Sequence, residues 1–387
     1  MKDTEMGDNR IIPPPGSGSF QGRLAVQQRV LPNYRAGFFD LLAAACQGGL
    51  SVFAGQPRPS EAIQSAQGLQ VAQWVQAKNL HLFGGRYYLC WQSNLQTWLQ
   101  VQDPAALIVE ANLRNLSTLP GVTWMHLRRR PVIGWGLGIP GLNPPDSGWV
   151  NTRLTGLRRG FLRQMDAIIT YSQAGAQQYR TAGFPADLVF VAPNAVAPRP
   201  TTPPPLRPET FAGSPTILFV GRLQPRKRID NLLHACAALP QSSQPRLWII
   251  GDGPARAELE ALARQVYPQA QFFGARYGDE LHSYFTQADL FVLPGTGGLA
   301  VQQALSYALP VIAAEADGTQ QDLVRPENGW QIPSNDVPAL TGALTQALAD
   351  PLRLRQMGAA SYRIVNQEIN LENMVQVFLK ALAAVTS

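Results

Sequence analysis

Short apolar runs alternating with helical stretches, broken once by a proline-dense segment, predict two doubly wound α/β domains. Runs such as LSVFAG at 50–55 and TILFVG at 216–221 have the length and apolarity of buried parallel strands. Between them lie stretches such as ARAELEALARQVY and GLAVQQALSYA, with apolar residues at helical spacing. From Ala197 to Pro215, APRPTTPPPLRPETFAGSP is too rich in proline for helix or central strand, and the pattern restarts after it.

Taken in order, MKDTEMGDNRIIPPPGSGS reads as a disordered leader over 1–20, with acids and prolines where a signal peptide needs a basic and then an apolar segment. Strands are expected at 24–30, 50–55, 105–111, 131–136, 167–172 and 188–194, with a helix at 38–46, giving a first domain over 21–196. Residues 60–100 are Gln-rich and poorly periodic, and support no firm element. The segment 197–215 reads as a linker. A second domain over 216–365 has strands at 216–221, 246–251, 270–274, 290–294 and 310–314. The chain is helical from Val337, interrupted near Asp350-Pro351. The last stretch, 366–387, holds an amphipathic helix over Leu371–Val385, with Met374, Val377, Phe378, Leu379 and Leu382 largely on one side. No internal repeat of fixed period is present.

A chain of 387 residues supports two full cores, and 45% hydrophobic against 15% charged residues describes a globular protein. No apolar run reaches the roughly 18 residues of a membrane span, so a cytoplasmic protein is expected. Cys46, Cys90 and Cys236 are odd in number and lack metal-ligand spacing, which predicts buried reduced thiols. His81, His126, His234 and His282 show no paired ligand spacing either, and no Asp-x-Asp occurs. The expectation is no metal and no cofactor.

Charge is uneven. Residues 1–195 carry 17 Lys and Arg against 10 Asp and Glu, a net +7, while residues 196–387 carry 15 against 16, a net −1. A basic first half suits an anionic partner. Aromatics do not interleave with its cations in a recognition-module pattern, so nucleic acid is not expected. Arg128, Arg129, Arg130, Arg153, Arg158, Arg159 and Arg163 each read first as solvated surface. Together they support peripheral contact with the anionic inner face of a membrane.

The chemistry gathers in the second half. After the strand at 216–221, Gly221 and Arg222 are followed by Arg226, Lys227 and Arg228, fixing positive charge at the carboxyl end of a sheet, where open α/β sheets bind ligands. Arg offers a planar fork and Lys a point charge for phosphate oxygens. Gly251 and Gly253 in GDGP let backbone approach a ligand, Gly274 and Arg276 follow the next strand, and PGTGGLAVQQALSYALPVI places a glycine loop before a helix. Free N–H groups and the helix dipole there form an anion site around Gly295, Thr296, Gly297, Gly298 and Leu299. Gly136-x-Gly138-x-x-Gly141 matches a dinucleotide fingerprint, but Pro140, Pro144 and Pro145 forbid the helix it must open. That loop is expected to line a cleft instead.

The order VGRL…K, IIGDGP, AD-L-FVLP, glycine loop, helix and PVIA strand resembles the nucleotide-sugar-binding domain of retaining GT-B glycosyltransferases of the family-4 type, glycosyl transferases group 1, over Thr216 to about Pro333. LPNYRAGFFDLLA resembles the opening of some members more loosely. The resemblance implies two Rossmann-like doubly wound domains (GT-B) facing across a cleft, with the final helix crossing back to the first domain. It implies an enzyme that moves a sugar from a nucleoside-diphosphate sugar to a glycan, lipid-linked or small-molecule acceptor, with retention and without metal, in polysaccharide or cell-envelope biosynthesis. Arg222 and Lys227 would contact the donor diphosphate as catalytic residues, and N–H groups near Gly298 and Leu299 the distal phosphate. Asn33, Tyr34, Arg35, Gly136 and Leu137 would line the acceptor side. Many members carry two glutamates where this chain has Gly295 and Gln303, and some a histidine where it has Leu137. Gln303 retains the capacity to hydrogen-bond a ribose hydroxyl. These departures keep two rivals in view: a catalytically degenerate protein that binds nucleotide sugars or acts as a scaffold, and a phosphorylase or epimerase on the same fold.

Overall fold

The computed structural model describes residues 18–59, 61, 63–139, 149–316 and 318–386. Most of the expected leader lies outside these residues, as do Pro140, Gly141, Pro144 and Pro145. The chain divides into two compact units, one of residues 1–196 with 371–387 and one of residues 197–370. In chain order the first unit contains β1 (Leu24–Val30), α1 (Ala36–Ala44), β2 (Leu50–Gly55), β3 (Gln73–Gln76), β4 (Lys78–Leu82), β5 (Leu89–Ser93) and α2 (Leu95–Gln102). It continues with β6 (Ala106–Glu110), α3 (Thr118–His126), β7 (Val132–Gly136), α4 (Trp149–Leu162), β8 (Ala167–Thr170), α5 (Gln173–Thr181) and β9 (Val189–Val191). The second unit contains β10 (Thr216–Val220), α6 (Ile229–Ala237), β11 (Arg246–Ile250), α7 (Arg256–Val266), β12 (Ala270–Phe272), α8 (His282–Gln287) and β13 (Leu290–Leu293). It ends with α9 (Leu299–Ser306), β14 (Val311–Ala314), α10 (Thr319–Leu323), β15 (Gly329–Ile332), α11 (Val337–Ala349) and α12 (Pro351–Gln367); the last helix, α13 (Leu371–Thr386), belongs to the first unit.

The first unit is built on a parallel sheet of order β3-β2-β1-β6-β7-β8-β9, with β4 and β5 paired antiparallel beside it. Its inner strands are buried along nearly their whole length, which is why β2, β6 and β8 read as nearly continuous apolar runs without alternation, while β1 buries Gln27 and Gln28 as well. The second unit is a parallel sheet of order β12-β11-β10-β13-β14-β15. In both sheets the strand order reverses once, between β1 and β6 and between β10 and β13, and ligands bind at the carboxyl ends beside such a reversal. The two doubly wound units agree with the fold class expected from sequence.

Helix α13 packs through Met374, Val375, Phe378, Leu379 and Leu382, all buried, so Val375 takes the inward place expected for Val377. The Phe378 ring lies 4.8 Å from that of Phe38 on α1 and 4.9 Å from that of Trp135 on β7. The helix begins at Leu371, where the amphipathic stretch expected from sequence begins, and α12 ends before it at Gln367.

The segment 197–215 is not a free linker; it belongs to the second unit. Arg207 fastens it by donating to the carbonyls of Phe285 (2.7 Å), Ala288 (2.8 Å) and Tyr307 (2.7 Å). Burial, with the nearby Arg355 charge, lowers the Arg207 guanidinium to about 10. Proline fixes the path, and side chain-to-backbone bonds anchor it where no ladder is available. The Gln-rich stretch left open by the sequence holds β3, β4, β5 and α2. The inward residues Asn79 of β4 and Gln92 of β5 are polar and bonded to each other, which removes the apolar period that would have revealed these strands. The three cysteines are buried and free, and burial alone pushes the Cys46 thiol up to about 12. Among the described residues no helix is long and apolar enough to cross a membrane.

Candidate functional site

At the β10/β13 reversal two loops are joined along their backbones. The chain leaves β10 at Gly221, turns through a single 3-10 turn over Pro225–Lys227, and enters α6 after Arg228. The basic residues therefore precede the helix and do not open it. Across the reversal, Thr296 N–H donates to Arg226 O (3.0 Å) and Arg226 Nη1 to Thr296 Oγ1 (3.1 Å). A Cβ added at Gly295 would overlap the Arg226 carbonyl oxygen and come within 2.6 Å of the Lys227 carbonyl carbon. Glycine at this position thus has a packing reason, since no side chain fits without moving the Arg226–Lys227 backbone.

Gly297 has φ +139°, and a Cβ there would overlap Lys227 Nζ. The ammonium therefore stands directly over the glycine loop. Gln320, buried on α10, donates its Nε2 to Gly297 O (2.5 Å) and holds the loop from the other side. Helix α9 then starts from Gly298 with no side-chain cap on its first turn. Its first N–H groups and the positive end of its dipole lie beside Lys227 and Arg226. Arg222 is exposed and has no hydrogen bond or ion pair among the described residues. Gln303 lies one turn into α9 and is half-buried.

The remaining glycines serve the loops rather than an open surface. A Cβ at Gly251 would overlap Gly221 O, and one at Gly253 would overlap Leu223 O. Leu223 N–H donates to Asp252 O (2.9 Å), Ala255 N–H to Leu223 O (3.1 Å) and Gly251 N–H to Gly274 O (2.8 Å). The sequence reading had these glycines admit a ligand; their α-carbons instead admit the neighbouring backbone. Arg276 is exposed and paired with Glu280 at 3.3 Å. Thr296, one of the loop residues expected at the anion site, is the partner of Arg226; two further participants lie outside the expected set, Gln320 as support of Gly297 and Arg256, which pairs with Asp252 (3.2 Å) and Glu260 (2.8 Å). Only the Arg256–Glu260 spacing, i to i+4 on a helix, was visible beforehand.

In the first unit the expected acceptor-side residues separate. Asn33 and Tyr34 are exposed, and Leu137 is exposed beyond the end of β7. Arg35, by contrast, is 3% exposed and cannot meet a ligand. Its guanidinium lies 5.1 Å from the Trp135 ring and 5.3 Å from those of Tyr34 and Tyr171, and Nη2 donates to Asn194 Oδ1 (2.6 Å). An arginine so enclosed is a packing element. Gly136 lies where a Cβ would come within 2.8 Å of the Tyr179 hydroxyl. At this unit's own reversal sits Glu110, the last residue of β6. It accepts from Arg29 N–H (2.8 Å) and Asn115 Nδ2 (2.6 Å), and burial raises its carboxyl against those lowering contacts. Among the described residues no three His, Cys, Asp or Glu side chains gather as a metal site.

Residues 207–364 match the family described as glycosyl transferases group 1. A GDP-mannose-dependent alpha-mannosyltransferase of Mycobacterium tuberculosis is 39% identical over 155 residues, covering 39% of this chain and 38% of that protein. The lipopolysaccharide core biosynthesis glycosyltransferase LpsE of Rhizobium meliloti is 23% identical over 300 residues, covering 74% of this chain and 87% of that protein. Among solved structures, HepE of Anabaena in complex with UDP superposes with a TM-score of 0.66 at 15% identity, covering 94% of this chain and 99% of that one. That likeness shows the fold, two Rossmann-like domains of the GT-B kind.

Proposed function

We propose that this chain, whose residues 207–364 belong to the glycosyl transferases group 1 family, moves a hexose from a nucleoside-diphosphate sugar to a glycan or lipid-linked acceptor, with retention. The observation that carries the reading is the convergence, on one sheet reversal, of the Lys227 ammonium, the Arg226 guanidinium and the uncapped first turn of α9. Such a place suits a diphosphate: two cations and several N–H groups meet the charge that grows on the leaving oxygen, and they need no reorganisation as it grows. Arg222, exposed at the same strand end, supplies a third cation.

In the proposed step the bond from the anomeric carbon to the β-phosphate oxygen breaks while the acceptor oxygen bonds to that carbon on the same face. The acceptor proton passes to the departing phosphate. Position 295 offers no carboxylate to act as nucleophile, which favours this course over a covalent intermediate. With charge neutralised by side chains, transfer proceeds without added metal. Similarity to a GDP-mannose-dependent enzyme, to LpsE and to a UDP-bound structure makes GDP-mannose and UDP-hexoses the first donors to examine, and cell-envelope glycans the first acceptors. Use of a nucleotide sugar fits work on the cytoplasmic side.

Calorimetry with UDP, GDP and ADP, followed by a nucleotide-sugar panel with and without chelator and by NMR of the product anomer, tests the reading. Micromolar binding of one nucleotide with chelator-resistant turnover and a retained anomer supports it. Binding without turnover of any donor points to a degenerate binding protein, and a requirement for inorganic phosphate points to a phosphorylase. Failure to bind any nucleotide removes the assignment.

A further inference from the structure

The β4–β5 hairpin of the first unit reverses the usual arrangement of polar and apolar faces. Its register sets Asn79 opposite Gln92 and His81 opposite Cys90 on one face, and Leu80 opposite Trp91 and Leu82 opposite Leu89 on the other. The polar face is the inner one. Asn79 Nδ2 donates to Arg29 O (2.7 Å) and Gln56 O (2.9 Å), and Gln92 Nε2 donates to Gln28 O (3.0 Å). Gln27 Nε2 donates to Gln92 Oε1 (2.9 Å), and His81 Nδ1 lies 2.9 Å from the Tyr88 hydroxyl. The apolar face is the outer one: Leu80 is 44% exposed, Leu82 41% and Trp91 40%, and at the turn Phe83 is 72% and Tyr87 65% exposed. Slipping the register by one residue would bury the apolar set, but only by breaking every one of those inner bonds. The exposure is therefore fixed by the fold.

Phe83 adds a second oddity. Its φ of +57° lies in the left-handed region, where a bulky side chain is strained and glycine is favoured. An aromatic stands there, mostly exposed to solvent, with two glycines following it. Around the hairpin the exposed charges are mainly cationic. Lys78 is exposed on the same face as Leu80, Arg114 is exposed beside β5 and accepts from Cys90 N–H through its carbonyl, and Arg58 shares the single carboxylate of Glu61 with Arg29.

We propose that this hairpin face docks the first unit on an anionic lipid surface, with Leu80, Leu82, Phe83 and Trp91 entering the interfacial zone and Lys78 and Arg114 meeting the headgroups. Aromatic and Leu side chains flanked by cations are the composition that interfaces of bilayers select. The net +7 of residues 1–195 has the sign such a surface requires. A second copy of the chain is the weaker occupant: β4 and β5 have five residues each, well below the roughly 20–30 residues a side of a stable dimer. The surface differs from the arginine segments at 128–130 and 158–163, beside which Leu127 and Leu157 are exposed but no aromatic is, among the described residues, and the proposal goes beyond the donor chemistry.

The test is co-sedimentation of the full chain with vesicles of phosphatidylglycerol and phosphatidylethanolamine, and with phosphatidylcholine alone, at low and physiological salt. The wild type should bind the anionic vesicles. Phe83→Gly with Leu82→Ser, and separately Leu80→Ser with Trp91→Ser, should weaken that binding tenfold or more, since each large apolar side chain is worth about tenfold when buried. Phe83→Gly relieves a left-handed residue, so that variant keeps its fold even if the strand pair does not. Arg128→Ala with Arg129→Ala should bind within about threefold of wild type, as screened long-range charge allows. The proposal is overturned if wild type ignores anionic vesicles at low salt, if the hairpin variants bind like wild type, or if only the arginine variants lose binding. It is equally overturned if sedimentation velocity shows a dimer that the hairpin variants dissolve. No sugar donor enters the measurement, so its failure leaves the transfer reading untouched.

Discussion

The Lys227 ammonium occupies the space into which a side chain at Gly297 would grow. Gly295, two residues earlier, faces the Arg226 and Lys227 backbone instead. The two glycines therefore fail differently when replaced. Gly297→Ala displaces the flexible end of a lysine and adds left-handed strain of order 1 kcal/mol. Transfer should fall tenfold or more with a modest loss of stability. Gly295→Ala, and Gly295→Glu with it, pushes on backbone and should cost about 1–3 kcal/mol in denaturant unfolding. Equal stability of the two alanine variants would contradict this packing.

Lys227→Ala and Arg222→Ala should each lower turnover by roughly 10²-fold, as removal of one donor from a developing oxyanion does. Melting temperatures should stay close to wild type, because Arg222 is exposed and Lys227 half-exposed. Steady-state kinetics on both variants decides the matter; near-wild-type turnover in both removes these residues from the chemistry.

Glu61 sets an acid limit on the first unit. Burial pushes its carboxyl up, but hydrogen bonds and charge from Arg29 and Arg58 outweigh that and hold it below its ordinary value. A carboxyl depressed in the folded state contributes stability above its unfolded value, and that contribution fades as pH falls through the folded one. Glu61→Gln should therefore lower the melting temperature at pH 7 and narrow its gap to wild type as pH drops below about 4. Thermal melts from pH 7 to pH 3 read both effects, and a constant gap would contradict them.

Phe378→Ala should destabilise the first unit by about 3–5 kcal/mol, the usual cost of emptying a fully buried aromatic site. The ring is 0% exposed and meets both Phe38 and Trp135. Loss of the first unit's cooperative transition, with the second unit's retained, is the expected calorimetric result.

What the sequence disclosed follows from burial. Strands such as β6, β8, β10 and β13 lie inside a parallel sheet, so they announce themselves as apolar runs, and their order discloses the doubly wound fold. β4 and β5 were silent because their inner face carries half-buried Asn79 and His81 and buried Gln92 beside Cys90, and side-chain bonds of that kind leave no apolar period. At the site, the cations and the glycine loop were legible as chemistry. The roles of Gly251, Gly253 and Gly295 were not, because a glycine that admits a ligand and one that admits a neighbouring loop look alike until the loops are placed. Arg35 misled for a related reason: a cation in a loop after a strand reads as a ligand contact, and only its aromatic enclosure and its bond to Asn194 show otherwise.

Because α13 belongs to the first unit, the order of synthesis and the order of folding part company. Residues 197–370 are contiguous and can fold as soon as they emerge, whereas the first unit waits until residues 371–386 have been made. Until residues 371–386 appear, Phe38 and Trp135 lack their partner, and Arg35 lacks Met374, 339 positions downstream. A nascent chain that has reached only residue 196 would carry that apolar gap exposed, and a stop just before Leu371 would disable the unit made first rather than the unit of residues 197–370.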